Sequence, residues 1–356
     1  MKKIGIVTFQ RALNYGALLQ MYALHEFILE NFDSHQVEVV DYFSPLCEKE
    51  CTLKNIKGSN IVVRTLKKVN FLLKNHQFED FIRKHINISR KYDIHTIRNA
   101  ENEYDVLVSG SDQVWNPAII DGDMNYLLQF SEKSIKVSYA ASIGKTELPL
   151  EYRELYKNQL EKFKKISVRE RSAKTLVDDL LGRNHADVNV DPTLLLSSES
   201  WSKLADEKKN CRYVMVYQVK YSKELLDKAK EFAANKGLKV MYVGPYAREK
   251  GIHYIPAPSV NALLGLFKNA DYVFTNSFHG TVFSIQFKRK FFVDLLFSDG
   301  RNDRITDLLA VCNLSSCMDQ SLIEQDLDWE YVREQLEKER SRSLNYLQTA
   351  IKDEIV

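Results

Sequence analysis

Residues 270–284 read ADYVFTNSFHGTVFS, and this stretch decides the fold class. Tyr272, Val273 and Phe274 form a short β-branched and aromatic run that suits a buried strand. Without a spacer it passes into Asn276-Ser277-Phe278-His279-Gly280-Thr281, where an apolar helical pattern begins and runs to about residue 287. A strand entering a helix through a polar corner is the repeating unit of a parallel α/β layer. Helix amides, the hydroxyls of Ser277 and Thr281 and the imidazole of His279 share that corner. The positive end of a helix favours an anion. Histidine, with an ordinary pKa of about 6.5, suits proton transfer at neutral pH.

The same unit recurs on both sides. Downstream of residue 210, strands are expected at 213–217, 238–243, 272–275 and 291–293, with helices at 223–235, 260–268 and 280–287. Upstream, 2–9 is a strand, 10–16 a polar turn, and Ala17, Met21, Leu24 and Ile28 recur on one face of a helix before a strand at 37–43. Further strands are expected at 104–108, 137–141, 166–168 and 187–190, with helices at 151–164 and 170–181. The polar, Ser/Lys-rich stretch 194–210 is the linker candidate, and 326–352 a charged amphipathic helix able to pack back across the first domain. At 356 residues two domains are expected. The expected architecture is α/β, with two Rossmann-like domains in a GT-B-like arrangement around an interdomain cleft. The first domain is expected over 1–200, contributing Arg169, the second over 201–325, holding the anion site, and 326–356 as the returning helix.

Lys+Arg 50 against Asp+Glu 48 gives a net charge of +2, too balanced for a nucleic-acid binder. Of the five cysteines, Cys47 and Cys51 are spaced like half a zinc site. No second Cys or His pair lies nearby, so reduced thiols are expected and no metal. The N-terminus MKKIGIVTFQ does not read as a signal peptide, and no apolar run approaches the roughly 20 residues that span a bilayer. A cytoplasmic protein is expected, at most peripheral to the inner face of the cell membrane. Residues 55–85 read as basic peripheral helices; Lys67, Lys68, Lys74, Arg83 and Lys84 are expected on a solvated face.

Four further strand–helix corners carry candidate groups. Asn14-Tyr15-Gly16 offers a sharp turn and helix amides to an anion, or Asn14 is a plain helix cap. Gly110-Ser111-Asp112-Gln113-Val114-Trp115 offers hydroxyl, carboxylate and amide groups, plus a Trp ring able to stack on a sugar or to sit in the core. Arg169, just past a strand, can grip a carboxylate or phosphate in bidentate fashion, or pair with an acid such as Glu170. In 300–305, GRNDRI, Arg301 or Arg304 can reach the same cleft, or pair with Asp303.

Taken together, NYGA, VSGSDQVWNP, SYAASIG, SVRE, VDPTLLL and NADYVFTNSFHGTVFSI resemble the polysaccharide pyruvyl transferase family, over roughly residues 1–310. The resemblance implies a cofactor-free transferase that moves a pyruvyl group from phosphoenolpyruvate to two hydroxyls of a saccharide acceptor. The product is a ketal, made in bacterial surface polysaccharide biosynthesis, and the acceptor is free or lipid-linked. His279 matches the family's motif histidine and Arg169 its strand-end arginine; Phe278 stands where some relatives carry Arg or Leu.

On that reading the donor phosphate sits at 277–281 and its carboxylate on Arg169. His279 is the acid, and Asp112 is either the base for the acceptor hydroxyl or a turn residue. Asn14, Tyr15, Gly16, Ser111, Gln113, Trp115, Asn276, Ser277, Phe278, Gly280, Thr281, Arg301 and Arg304 are the expected binding residues. Two other classes fit the same corners: a nucleotide-sugar-dependent GT-B glycosyltransferase, and a non-catalytic glycan-binding or assembly protein.

Overall fold

The computed structural model describes residues 2–32, 35–45, 47, 61–182, 184–207, 211–247, 249–295 and 302–352. The first half contains β1 (Lys3–Val7), α1 (Tyr15–Asn31), β2 (Gln36–Tyr42), α2 (Ile61–His85), β3 (Ile88–Tyr92), β4 (Val106–Ser109) and α3 (Pro117–Ile120). It continues with β5 (Ile135–Ser138), α4 (Leu150–Leu160), β6 (Ile166–Val168), α5 (Arg171–Leu181) and β7 (Ala186–Val188). After α6 (Ser198–Leu204), the second half contains β8 (Tyr213–Tyr217), α7 (Lys223–Asn235), β9 (Lys239–Val243), β10 (His253–Tyr254) and α8 (Val260–Lys268). Then come β11 (Tyr272–Thr275), α9 (Phe278–Gln286), β12 (Lys290–Val293), α10 (Asp303–Val311) and the long α11 (Trp329–Lys352).

Each half has a five-stranded parallel sheet, in the order β3-β2-β1-β4-β5 and β10-β9-β8-β11-β12. The two orders are equivalent, so the chain builds the same doubly wound layer twice. β4 and β8 are buried at every position, as strands covered by helices on both faces must be. The β6-β7 pair extends the first sheet through bridges of Val137 to Lys165 and Ala141 to Val168. Two strands escape the sequence reading: β3, whose ISRKY is mostly polar, and the two-residue β10. Both lie at sheet edges, where only one neighbour demands apolar partners.

The stretch read as a linker is packed. Trp201 in α6 is fully buried; its ring lies 5.8 Å from Tyr22 of α1 and 5.1 Å from Phe283 of α9. Its indole N–H donates to the Thr193 carbonyl at 3.1 Å. Gln286 of α9 donates to the carbonyls of Thr193 and Leu196 at 2.9 and 3.0 Å. One apolar cluster therefore runs through α1, α6, α9 and α11, tying both halves together. α11 returns to the first half, where Tyr346 donates to the Ser138 carbonyl at 2.8 Å and Arg340 Nε to the Leu194 carbonyl at 2.7 Å. Among the described residues no helix is long and apolar enough to cross a membrane.

Candidate active site

The C-terminal ends of β4, β6 and β7 bring Asp112, Arg169, Glu170 and Asp191 together. The Arg169 side chain is 2% exposed and Asp191 0%. Arg169 Nη1 donates to Asp191 Oδ2 at 2.7 Å, while Nη2 lies 3.9 Å from Asp112 Oδ1 and Nε 3.9 Å from Glu170 Oε2. The two longer separations are not hydrogen bonds. Burial opposes the Arg169 charge, but Asp191, Glu170 and Asp112 outweigh it and raise the guanidinium pKa. Burial likewise pushes the Asp191 carboxyl up, yet His279, Arg169 and the Thr193 hydrogen bonds hold it well below the usual carboxylate range.

Glu170 anchors the loop after β5. Its Oε1 accepts from the Ser142 hydroxyl at 2.7 Å and from the amides of Ile143 and Gly144 at 3.1 Å. Asp112 sits at φ 76° and Ala140 at φ 48°. Side chains rarely adopt this region, and its cost persists only where the surroundings over-determine it. Asp112 Oδ1 accepts from the Gln113 amide at 2.8 Å, so the aspartate does shape its own turn.

From the second half, α9 delivers His279 to this cluster. Its Nε2 lies 3.7 Å from Asp191 Oδ2. The ring rests against α1: a Cβ placed on Gly16 would meet His279 Nδ1 at 2.1 Å. Only glycine at position 16 leaves room for the imidazole, which joins the NYG and FHG motifs physically. Gly280 is under the same constraint, since its Cβ would lie 2.1 Å from Thr275 Oγ1. Phe278 is held between two guanidinium groups, Arg169 at 5.5 Å and Arg304 at 5.4 Å from the ring centroid. Burial and the neighbouring Arg169 pull Arg304 down to about 10, leaving it cationic at neutral pH. Among the described residues Arg304 has no hydrogen-bonded acceptor, so its charge is the least compensated of the cluster.

Five buried side-chain atoms in this region have no hydrogen-bond partner among the described residues: Arg169 Nε and Nη2, Glu170 Oε2, His279 Nε2 and Ser111 Oγ. Such atoms are costly unless something else satisfies them. Arg169, Asp191, Phe278 and Arg304 line a cavity of about 150 Å³. Asp112 and Gln113 open instead onto a cavity of about 360 Å³, shared with Arg11 and Asn14. A cleft of about 450 Å³ lies between the halves, bounded by Asn14, Tyr15, Tyr217, Gly244 and Pro258.

Several expected binding residues are committed elsewhere. Trp115 is fully buried and its N–H donates to Ser109 Oγ at 2.9 Å, so its ring is core and cannot stack on a sugar. Gln113 Oε1 accepts from the Asn116 side chain at 2.6 Å. Asn276 accepts from the Val219 amide at 3.0 Å and donates to the Lys220 carbonyl at 2.7 Å, which locks the corner rather than facing it. Ser277 caps α9 through the Gly280 amide at 3.3 Å, and the buried Thr281 hydroxyl donates to the Ser277 carbonyl at 3.1 Å. The hydroxyls of that corner are therefore spent on the helix itself, leaving its first two amides, of Phe278 and His279, for an anion. Asn14 is a helix cap, accepting from the Gly16 amide at 2.8 Å, while still edging the two larger cavities. Tyr15 donates to the Pro258 carbonyl at 2.5 Å and braces the two halves. Arg301 and Cys51 lie outside the described residues. Among the described residues no group of His, Cys, Asp and Glu side chains could hold a metal ion.

Glu170 and Asp191 escape the list of candidates drawn from sequence. Asp191 had one signal, its place before Pro-Thr at a strand end; only the fold sets it against Arg169 and His279.

Comparison with known proteins shows the family and the fold. A family model, polysaccharide pyruvyl transferase, matches residues 14–293. The chain belongs to that family, and it is a transferase. No curated protein matches the sequence significantly. Among solved structures, S. aureus MnaA in a co-structure with UDP aligns at a TM-score of 0.55 with 12% identity, covering 98% of this chain and 96% of the other. A putative UDP-N-acetylglucosamine 2-epimerase from Listeria monocytogenes aligns at 0.50 with 10% identity, covering 99% and 97%. The Streptomyces glycosyltransferase SsfS6, complexed with thymidine diphosphate, gives 0.47 with 11% identity, covering 98% and 99%. At these identities the first two establish the fold alone: two Rossmann-like halves in the GT-B manner.

Proposed function

We propose that this family member transfers the pyruvyl group of phosphoenolpyruvate to two hydroxyls of a sugar, forming a pyruvate ketal during bacterial surface polysaccharide synthesis. The observation that carries the reading is a buried arginine with two unspent N–H groups beside an imidazole with an unspent nitrogen. A small donor bearing both carboxylate and phosphate fits such a site, because each anionic group finds its own cation. The carboxylate goes to Arg169. The phosphate goes to Arg304 and the Phe278 and His279 amides of α9, where the helix dipole also favours it.

His279 Nε2 donates a proton to the methylene carbon, leaving an oxocarbenium-like centre at C2. Asp191 stays ionised and balances the imidazolium charge. The first sugar hydroxyl bonds to C2 and passes its proton to Asp112. The second hydroxyl then displaces phosphate; the C2–O–P link breaks on its carbon side, and that hydroxyl's proton restores His279. Asp112 releases its proton with the departing phosphate. The acceptor occupies the larger cavities bounded by Asp112 and Asn14, of a size that suits a saccharide.

Isothermal titration with phosphoenolpyruvate against a panel of nucleotide sugars tests the donor. Phosphoenolpyruvate is expected to bind, and Arg304→Ala to weaken it; binding only of a nucleotide sugar would replace this reading with a nucleotide-sugar transferase. His279→Gln is expected to lower phosphate release by about 10²–10⁴ with the protein still folded. Near-normal release would remove His279 as the acid.

A further inference from the structure

Lys67, Arg83 and Lys84 of α2 are exposed, as its sequence suggests, but the first half of the helix also exposes large apolar side chains. Ile61 is 70% exposed, and Leu66, Val69, Leu72 and Leu73 are each about half exposed. At 3.6 residues per turn these five fall within an arc of about 140°, which also holds the exposed Thr65 and His76. An exposed apolar stripe marks an interaction surface.

Charge identifies the partner. Arg64 and Lys68 flank one edge of the stripe, with no Asp or Glu among residues 61–78. A second copy of the chain would bring that basic edge against itself, because a two-fold contact joins identical patches. An anionic bilayer complements both features: its headgroups meet the basic edge while the stripe enters the acyl boundary.

We infer that the outward face of α2 docks this protein on an anionic membrane surface. The opposite side of the same helix supplies Lys67, Asn70 and Lys74 to the wall of the 450 Å³ cleft. The same helix would thus face the lipid on one side and the cleft on the other. The docking surface rests on exposure and charge, and holds whichever donor the enzyme uses.

The test is flotation of the full chain with phosphatidylglycerol/phosphatidylcholine vesicles and with pure phosphatidylcholine vesicles, without donor or acceptor, so failure of the ketal reading cannot produce failure here. Wild type is expected to float with the anionic vesicles and to be released by high salt. Arg64→Gln with Lys68→Gln is expected to lower partitioning by about 25-fold, at roughly fivefold per basic side chain. Val69→Glu with Leu72→Glu, both at exposed positions, is expected to abolish flotation with an unchanged melting temperature. Wild type that stays unbound, or a Val69→Glu/Leu72→Glu variant that floats normally, overturns the inference. So does a wild-type dimer that this double variant converts to monomer, because the stripe would then be a self-association face.

Discussion

The two halves repeat one sheet order, yet their strand–helix corners are built oppositely. At the β11–α9 corner Ser277 and Thr281 spend their side chains on the first turn of α9, and Asn276 spends its own on the Val219 amide and Lys220 carbonyl after β8. At the β6 and β7 ends, Arg169 and Glu170 are buried with polar atoms unspent. The first corner is a mount that projects one imidazole; the second is a charged cluster with unused hydrogen-bonding capacity. A polar residue at a strand end is thus not yet a binding residue, since what matters is whether its hydrogen-bonding capacity is already used.

Breaking the charged cluster gives the largest effect. Asp191→Asn removes the one carboxylate bonded to a buried arginine and is expected to cost about 3–5 kcal/mol at pH 7, read by denaturant titration. Asp191 is ionised below its ordinary value of 3.8, so its contribution is complete above that pH and fades as pH falls towards its lower folded value. The gap between variant and wild type should therefore shrink between pH 4 and pH 2; a constant gap would mean the charge is not what stabilises.

Joining the two corners is the next test. Gly16→Ala would force the His279 ring aside, and turnover is expected to fall about 10²-fold. Unchanged turnover would show that α1 does not position the imidazole. The mount itself should respond least. Phe278→Leu takes away the ring between Arg169 and Arg304, with an expected loss of about 0.5–2 kcal/mol in thermal unfolding. A larger loss would mean that the ring, rather than the carboxylates, holds the two cations apart.

Much of this was legible in the chain. The interior strands and their helices were, because burial on both faces writes an apolar run into the sequence. The edge strands β3 and β10 were not, since an edge needs no such run. His279, Arg169 and Asp112 stand at strand ends and the structure brings them into one cluster with Asp191, whereas Trp115, expected among the binding residues, sits in the core. An aromatic beside a polar turn looks the same in sequence whether it faces a cleft or the core, and the Trp115 N–H bond to Ser109 decides for the core.

The sequence by itself determined the class of layer, its repetition, and the corners where chemistry can occur, because these depend on residues near one another along the chain. Tertiary structure alone decided that Asp191 pairs with Arg169 across 22 positions, and that His279 rests on Gly16 from 263 residues away. It also turned apolar side chains in the first half of α2 outward. Pairing of buried charges and exposure of a helix face depend on which distant segments pack together, and no local pattern records that.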